Sequence, residues 1–342
     1  MGKIDVTSAI KFRNKKWKNN KYIPSWVNIE EVDLDHFCTR PEVAKLCWDK
    51  FLKYLEKEDV DLSEYTFIEP SAGLGAFYNL LPEKRRIGID IVKDNPEFIQ
   101  QDFLSWLPED KKKKYICIGN PPFGYRAWLA LSFVNHAGLF SDYIGFIVPM
   151  AFQSNGKSNV KDRVKDFHLV HQSSLPHDSF IDVEGKSVKI NALFQIWKKG
   201  KGIKKVEKTC NEYLDLFTVD MRKERKCGHK RLNEADFFLQ RTYYTEPPKL
   251  VKSFDEVKYV CGYGIVLKKN KQEVLKILKN ADWNTLSNLA MHNCRHISME
   301  HIRKALINAG FIDKKINEIQ ITLNDEPRKI INQTCQTETC RQ

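Results

Sequence analysis

Five short apolar runs follow one another along the chain, at residues 65–68, 86–91, 98–102, 115–119 and 143–148. Turn residues and helix-length stretches, notably 125–138, separate them. A strand joined through a helix to its neighbour must cross over, so such a series predicts a parallel sheet with helices on both faces. Two later runs, 168–175 and 187–198, read as added strands. In the second, Val188, Ile190, Ala192, Phe194 and Ile196 recur at every other position, the period of a strand. Upstream, Thr39-Arg40-Pro41-Glu42 reads as a helix start. Thr39 is the expected N-cap, Pro41 stands in the first turn and Glu42 closes a capping box. Val43, Leu46, Cys47, Phe51 and Leu55 then follow at helical spacing.

The chain has 342 residues, 42% of them hydrophobic, enough for one large domain and a smaller one. The expected division is a basic arm at 1–30, a catalytic domain at 31–200, a basic linker at 201–231, a second domain at 232–330 and a tail at 331–342. No run of about 18 apolar residues is present, and the basic N-terminus lacks the apolar stretch of a secretory signal, so no membrane partner is expected. The net charge of +12 suits a polyanion, and nucleic acid is the commonest. In the arm, Lys15, Lys16 and Lys18 flank Trp17, a pattern open to phosphate contact and base stacking as well as to a plain solvated segment. Nine cysteines without regular spacing predict reduced thiols and an intracellular protein, in cytoplasm or nucleoid.

Two motifs carry chemistry. In Glu69-Pro70-Ser71-Ala72-Gly73-Leu74-Gly75-Ala76-Phe77 an apolar strand runs into a glycine turn and an expected helix. Gly73 and Gly75 remove side chains where a ligand must come close. Asp90 ends the next strand, where a carboxylate can accept bonds from ribose hydroxyls, and Asp102 closes the third segment, placed to meet a base. The turn lacks the three-glycine dinucleotide pattern and the lysine of a phosphate loop, so a nucleoside without pyrophosphate is expected. In the second motif, Asn120-Pro121-Pro122-Phe123 follows the run 115–119 at the strand's carboxyl end. Two prolines stiffen the backbone and withdraw two N–H donors. The Asn120 side-chain oxygen and the Pro121 carbonyl could then accept both N–H bonds of an exocyclic amine, aiming its lone pair at a methyl donor. Phe123 is expected to stack on the base, which must leave its helix to arrive there.

These residues resemble the amino-methyltransferases that act on adenine in nucleic acids. The segment 69–77 is similar to their motif I, Gly88-Ile89-Asp90 to motif II, Gln101-Asp102-Phe103 to motif III and Asn120-Pro121-Pro122-Phe123 to catalytic motif IV. Phe37-Cys38-Thr39-Arg40-Pro41-Glu42 resembles motif X, which packs over the cofactor. The resemblance spans 37–198. It implies a Rossmann-like class I methyltransferase fold, α/β, with a mostly parallel sheet, an antiparallel last strand and a smaller C-terminal domain. It implies S-adenosylmethionine as cofactor, held by Thr39, Glu69, Pro70, Ser71, Ala72, Gly73, Gly75, Asp90, Ile91, Asp102, Phe103 and Asn120. The catalytic set it implies is Asn120, Pro121, Pro122 and Phe123, with no metal. The motif order resembles the gamma class of DNA adenine methyltransferases, which implies a target-recognition domain after Lys198 and a place beside a restriction nuclease, although no nuclease motif is visible. DNA is the favoured substrate. Those DNA enzymes more often carry Tyr where Phe123 stands, and Phe is frequent in RNA adenine methyltransferases of the same fold. RNA therefore stays open, as do a glutamine amide in a protein and an inactive nucleic-acid-binding subunit.

Weaker features remain. Phe180 reads as a core aromatic or a second stacking face. The stretch 198–231 reads as a phosphate contact or an exposed loop. His292, Cys294 and His296 would share one face of a strand, with Cys210, Cys227 and His229 elsewhere, but lack the paired spacing of a zinc site.

Overall fold

The computed structural model describes residues 37–92, 95–154, 159–182, 184–202, 208–290 and 293–313. The arm 1–30, the tail 331–342 and His292 lie outside the described residues.

A two-residue strand, β1 (Cys38–Thr39), leads into helix α1 (Pro41–Lys57). Pro41 stands at the first helical position, where its fixed φ suits the helix and its missing N–H is no loss. Glu42 in the first turn and Lys57 in the last complement the helix dipole. The N-cap is Arg40, with no side-chain cap, so the expected capping box from Thr39 does not form. Strand pairing draws Thr39 elsewhere: it lies opposite Phe180, and Arg40 N–H donates to the Ser179 carbonyl at 3.0 Å. Val43, Ala44, Cys47, Trp48, Phe51 and Leu55 form the buried stripe, whereas Leu46 is exposed.

There follow β2 (Tyr65–Glu69), β3 (Arg86–Asp90), β4 (Ile99–Gln100), β5 (Lys114–Gly119), α2 (Trp128–Ala137), β6 (Ser141–Pro149), β7 (Phe167–Ser174), β8 (Phe180–Ile181), β9 (Ser187–Val188) and β10 (Ala192–Lys199). Seven of these strands form one sheet, in the order β4-β3-β2-β5-β6-β10-β7. Strands β2 to β6 pair in parallel, and β10 lies antiparallel between β6 and β7. This is a Rossmann-like α/β fold with a mostly parallel sheet, and its antiparallel strand lies where the sequence placed it.

Both faces of the sheet are covered, so β5 and β6 are buried almost throughout instead of alternately. On one face Trp48 of α1 meets Phe67 edge-on at 5.5 Å and Phe51 meets Phe194 at 6.5 Å. On the other, Phe103 packs against Phe133 of α2 at 5.1 Å.

Two local expectations change. The run 187–198 is broken into two strands: β9 pairs with β8, and only β10 joins the large sheet. The helix expected after the glycine turn is a single 3-10 turn, Tyr78–Leu80. Pro82 holds Leu81 extended, at ψ 151°, and has no N–H to continue a helix.

The chain divides into two units, the first comprising residues up to 204 with 240–248 and 283–300, the second 205–239, 249–282 and 301 onward. In the second, β11 (Leu214–Asp220) and β12 (Phe237–Gln240) flank β14 (Cys261–Leu267). The stretch 201–231 is therefore not simply a linker. Its strand β11 buries Leu214, Leu216, Phe217 and Val219, four apolar residues outweighed in composition by the charges on either side. Residues 232–330 are not one continuous domain either. The strands β13 (Thr242–Tyr243), β15 (Asn288–Leu289) and β16 (Arg295–His296) form a small sheet that belongs to the first unit. Asn191 anchors it, donating to the Ala290 carbonyl at 3.0 Å and to Asn293 Oδ1 at 2.8 Å.

Candidate functional site

Chain order reverses across the sheet between β2 and β5, since β3 and β4 lie to one side of β2 and β6 lies beyond β5. In open α/β sheets the crevice outside the carboxyl ends of the strands at such a reversal takes the ligand. Glu69 closes β2 and Gly119 closes β5, which places Asn120 on that rim. A small, open cleft lies there. Of the residues singled out in the sequence it is lined by Thr39, Glu69, Ser71, Ala72, Gly73 and Asn120. Phe37, Cys38, Leu74 and Ala76 complete the lining.

The glycine turn is fixed by backbone geometry. Gly73 has φ +49° and Gly75 φ +76°, left-handed conformations that cost side-chain-bearing residues about 1 kcal/mol or more. Ala72 N–H donates to the Ile89 carbonyl at 3.0 Å. Gly73 N–H donates to Asp90 Oδ2 at 2.8 Å, and Val92 N–H to Oδ1 at 2.9 Å. Asp90 therefore ties the turn to the end of β3. A Cβ built on Gly73 would meet no atom of the described residues within 4 Å.

Two polar atoms in this cleft are buried and unsatisfied. The Asn120 side-chain nitrogen donates to the Phe37 carbonyl at 3.1 Å, which turns Oδ1 the other way. Among the described residues that oxygen and the Thr39 hydroxyl oxygen, both buried, have no hydrogen-bond partner. Leaving such a group unpaired costs about 1–3 kcal/mol, so a site that keeps two of them is suited to a ligand that supplies the missing bonds. Ser71 Oγ donates to the Asn120 carbonyl at 2.9 Å, linking the glycine turn to the catalytic tetrapeptide.

Glu69 is 2% exposed, and its Oε2 accepts from Tyr78 N–H at 2.6 Å. Burial pushes its carboxyl well above the ordinary value; N–H bonds from Tyr78 and Phe77 pull the other way, and the charge of Asp90 adds to the rise. Beneath the site, burial pushes the Cys117 thiol up to about 12, which keeps it protonated and non-nucleophilic at neutral pH.

Other expected residues serve the framework. Phe123 is 2% exposed and meets Phe180 edge-on at 6.4 Å, so it is not an open stacking face. Phe180 is likewise fully buried, a core aromatic. Asp102 caps a 3-10 turn, accepting from Leu104 N–H at 3.0 Å and from Ser105 Oγ at 3.2 Å. Phe103 stacks on Trp106 in the core, and Ile91 packs against the same cluster. Pro70, Gly75, Pro121 and Pro122 shape the backbone around the cleft without lining it. The Phe37 carbonyl was not foreseen as the group that orients Asn120. A backbone acceptor leaves no side-chain signal, and only the position of Phe37 at the head of the 37–42 segment pointed there. Elsewhere in the first unit, His296 Nδ1 lies 2.9 Å from Thr242 Oγ1, and Cys294 Sγ 3.6 Å from His296 Nε2.

No family model and no curated protein matches this chain. Among solved structures it is similar to a provisionally assigned RNA methyltransferase of Pyrococcus horikoshii, at 18% identity and TM-score 0.36, over 57% of this chain and 98% of that one. It is also similar to the 23S rRNA methyltransferase ErmE, at 12% identity and TM-score 0.33, over 48% and 70% of the two chains. A third similarity is to the type IIG restriction endonuclease BpuSI, at 14% identity and TM-score 0.37, over 70% of this chain and 31% of that one.

Proposed function

We propose that this chain transfers a methyl group from S-adenosylmethionine to the exocyclic amine of a nucleic-acid base, N6 of adenine in DNA. The observation that carries the reading is the buried Oδ1 of Asn120, without a hydrogen-bond partner among the described residues, on the rim between β2 and β5 beside a glycine turn open to a ligand. The cleft residues fit a nucleoside cofactor: Thr39 offers a hydroxyl and Gly73 a surface free of side chain, while Asp90 at the end of β3 fixes the Gly73 backbone. When bound, S-adenosylmethionine supplies an electrophilic methyl group. Asn120 Oδ1 accepts one N–H of the target amine and the Pro121 carbonyl accepts the other. Together they hold the nitrogen lone pair toward the methyl and stabilise the positive charge that grows on the nitrogen. Ser71 keeps the Asn120 backbone in register with the glycine turn. No covalent intermediate is needed, in keeping with the protonated Cys117 below.

A second reading, adenine in RNA, is favoured by Phe123, which lacks the hydroxyl of the tyrosine more frequent in DNA enzymes of the resembled class. Incubation with labelled methyl donor and separate DNA, RNA and protein pools, followed by nucleoside mass spectrometry, decides between them. N6-methyladenine in DNA is the expected product. Label in protein alone, or in no pool, refutes the proposal.

A further inference from the structure

The second unit carries a charged turn that the methyl-transfer reading leaves unused. Where β11 ends at Asp220 and β14 begins at Cys261, two connecting segments meet: Met221 N–H donates to the Val260 carbonyl at 2.9 Å, and Asp220 N–H to the Cys227 carbonyl at 3.0 Å. Asp220 is 4% exposed and faces two guanidinium groups. Arg222 binds it at both ends, at 2.9 and 2.5 Å, and Arg225 lies at 4.0 Å. Asp220 is shared between two cations, and with Glu224 in the same turn the segment 220–226 sets four cations (Arg222, Lys223, Arg225, Lys226) against two carboxylates. Lys223 and Lys226 in the same turn are exposed and make no ion pair among the described residues. Beside them, Tyr259 is 38% and Val260 53% exposed.

We propose that the turn 222–226, with Tyr259 at its side, is a contact site for the phosphodiester backbone of a nucleic acid. Arg222, bonded twice to a buried carboxylate, is fixed before binding, so little side-chain entropy is lost there. Its pairing holds Asp220 ionised, well below the ordinary carboxylate range, so the clamp persists through the physiological pH range. Lys223, Arg225 and Lys226 outnumber the one further carboxylate of the turn, Glu224, and this surplus positive charge displaces counterions. An exposed ring beside such cations suits a sugar or base better than it suits an acidic peptide. The inference extends the nucleic-acid part of the proposed function but needs no methyl transfer.

The test uses the full-length chain and fluorescence anisotropy with a 30-base-pair DNA duplex and its RNA counterpart, over a range of salt concentrations. The combined variant Lys223→Gln, Arg225→Gln and Lys226→Gln is compared with Lys111→Gln, Lys112→Gln and Lys113→Gln, which removes equal charge from the run before β5. Each lost phosphate contact should lower the slope of log affinity against log salt by about 0.9. The turn variant should therefore lose a slope of about two to three and at least about tenfold in affinity, while the control changes little. Equal losses in both variants would mean net charge alone acts, and overturn the site, as would a wild type that binds neither duplex. Binding lost in the turn variant but no methylated nucleoside from wild type would sink the methyltransferase reading and leave this site standing. Methylation with an unaltered salt slope would do the reverse. The DNA and RNA arms identify which backbone is held.

Discussion

Asn120→Ala separates what this side chain gives to folding from what it gives to chemistry. The substitution removes one hydrogen bond, from Nδ2 to the Phe37 carbonyl at 3.1 Å, a net contribution of about 0.5–1.5 kcal/mol. It leaves that carbonyl short of a partner. It also deletes Oδ1, a buried oxygen without a partner among the described residues, whose burial costs about 1–3 kcal/mol. One unsatisfied acceptor is exchanged for another, so folding stability should stay within about 1 kcal/mol of wild type. The amine, in contrast, loses an acceptor aimed at charge that develops only during transfer. Removing one such preorganised group typically costs about 10²–10³ in rate, roughly 2.7–4 kcal/mol. Urea unfolding should give nearly the same midpoint, calorimetry nearly the same S-adenosylmethionine affinity, and single-turnover transfer a rate at least about a hundredfold lower. A rate within about tenfold of wild type would remove Asn120 from the chemistry, and a stability loss above about 2 kcal/mol would make it a structural residue.

Gly73→Ala adds a methyl that meets no atom of the described residues but points into open space at φ +49°; stability should fall by only about 1 kcal/mol while S-adenosylmethionine affinity by calorimetry falls further, and unchanged affinity would place the cofactor elsewhere. Glu69 has a folded-state pKa raised by burial, so the stability it contributes is complete below the ordinary glutamate value and is lost as pH rises through the raised one. Glu69→Gln should flatten that decline when urea midpoints are compared at acid and neutral pH, and an identical decline would contradict the burial. Gly145→Ala would set a Cβ 2.7 Å from the Phe51 ring and 3.2 Å from Phe194; a loss of about 1–3 kcal/mol in chemical denaturation is expected, and none would mean that α1 does not pack so tightly on β6.

The sequence alone determined what local periodicity and turn chemistry determine. Apolar runs between turns became parallel strands, the alternation near Phe194 became the antiparallel strand, and the glycine turn and diproline both landed at carboxyl ends of strands. Such features need only a few neighbouring residues, because strand period, positive φ and the missing proline N–H act within one turn of chain. Tertiary structure decided which side of each residue faces the cleft. Phe123 and Phe180 can stack on a base or pack into the core, and the core took both, edge-on to each other. Asp102 can meet a ligand or cap a turn, and Leu104 and Ser105 claimed it. Thr39 can cap α1 or line the cleft, and pairing with the strand at Phe180 took it from the helix. The small sheet of 242–243, 288–289 and 295–296 joins the first unit across a long stretch of chain, through Asn191. Contacts between residues far apart in sequence carry no local period, so their outcome is fixed only when the whole core closes.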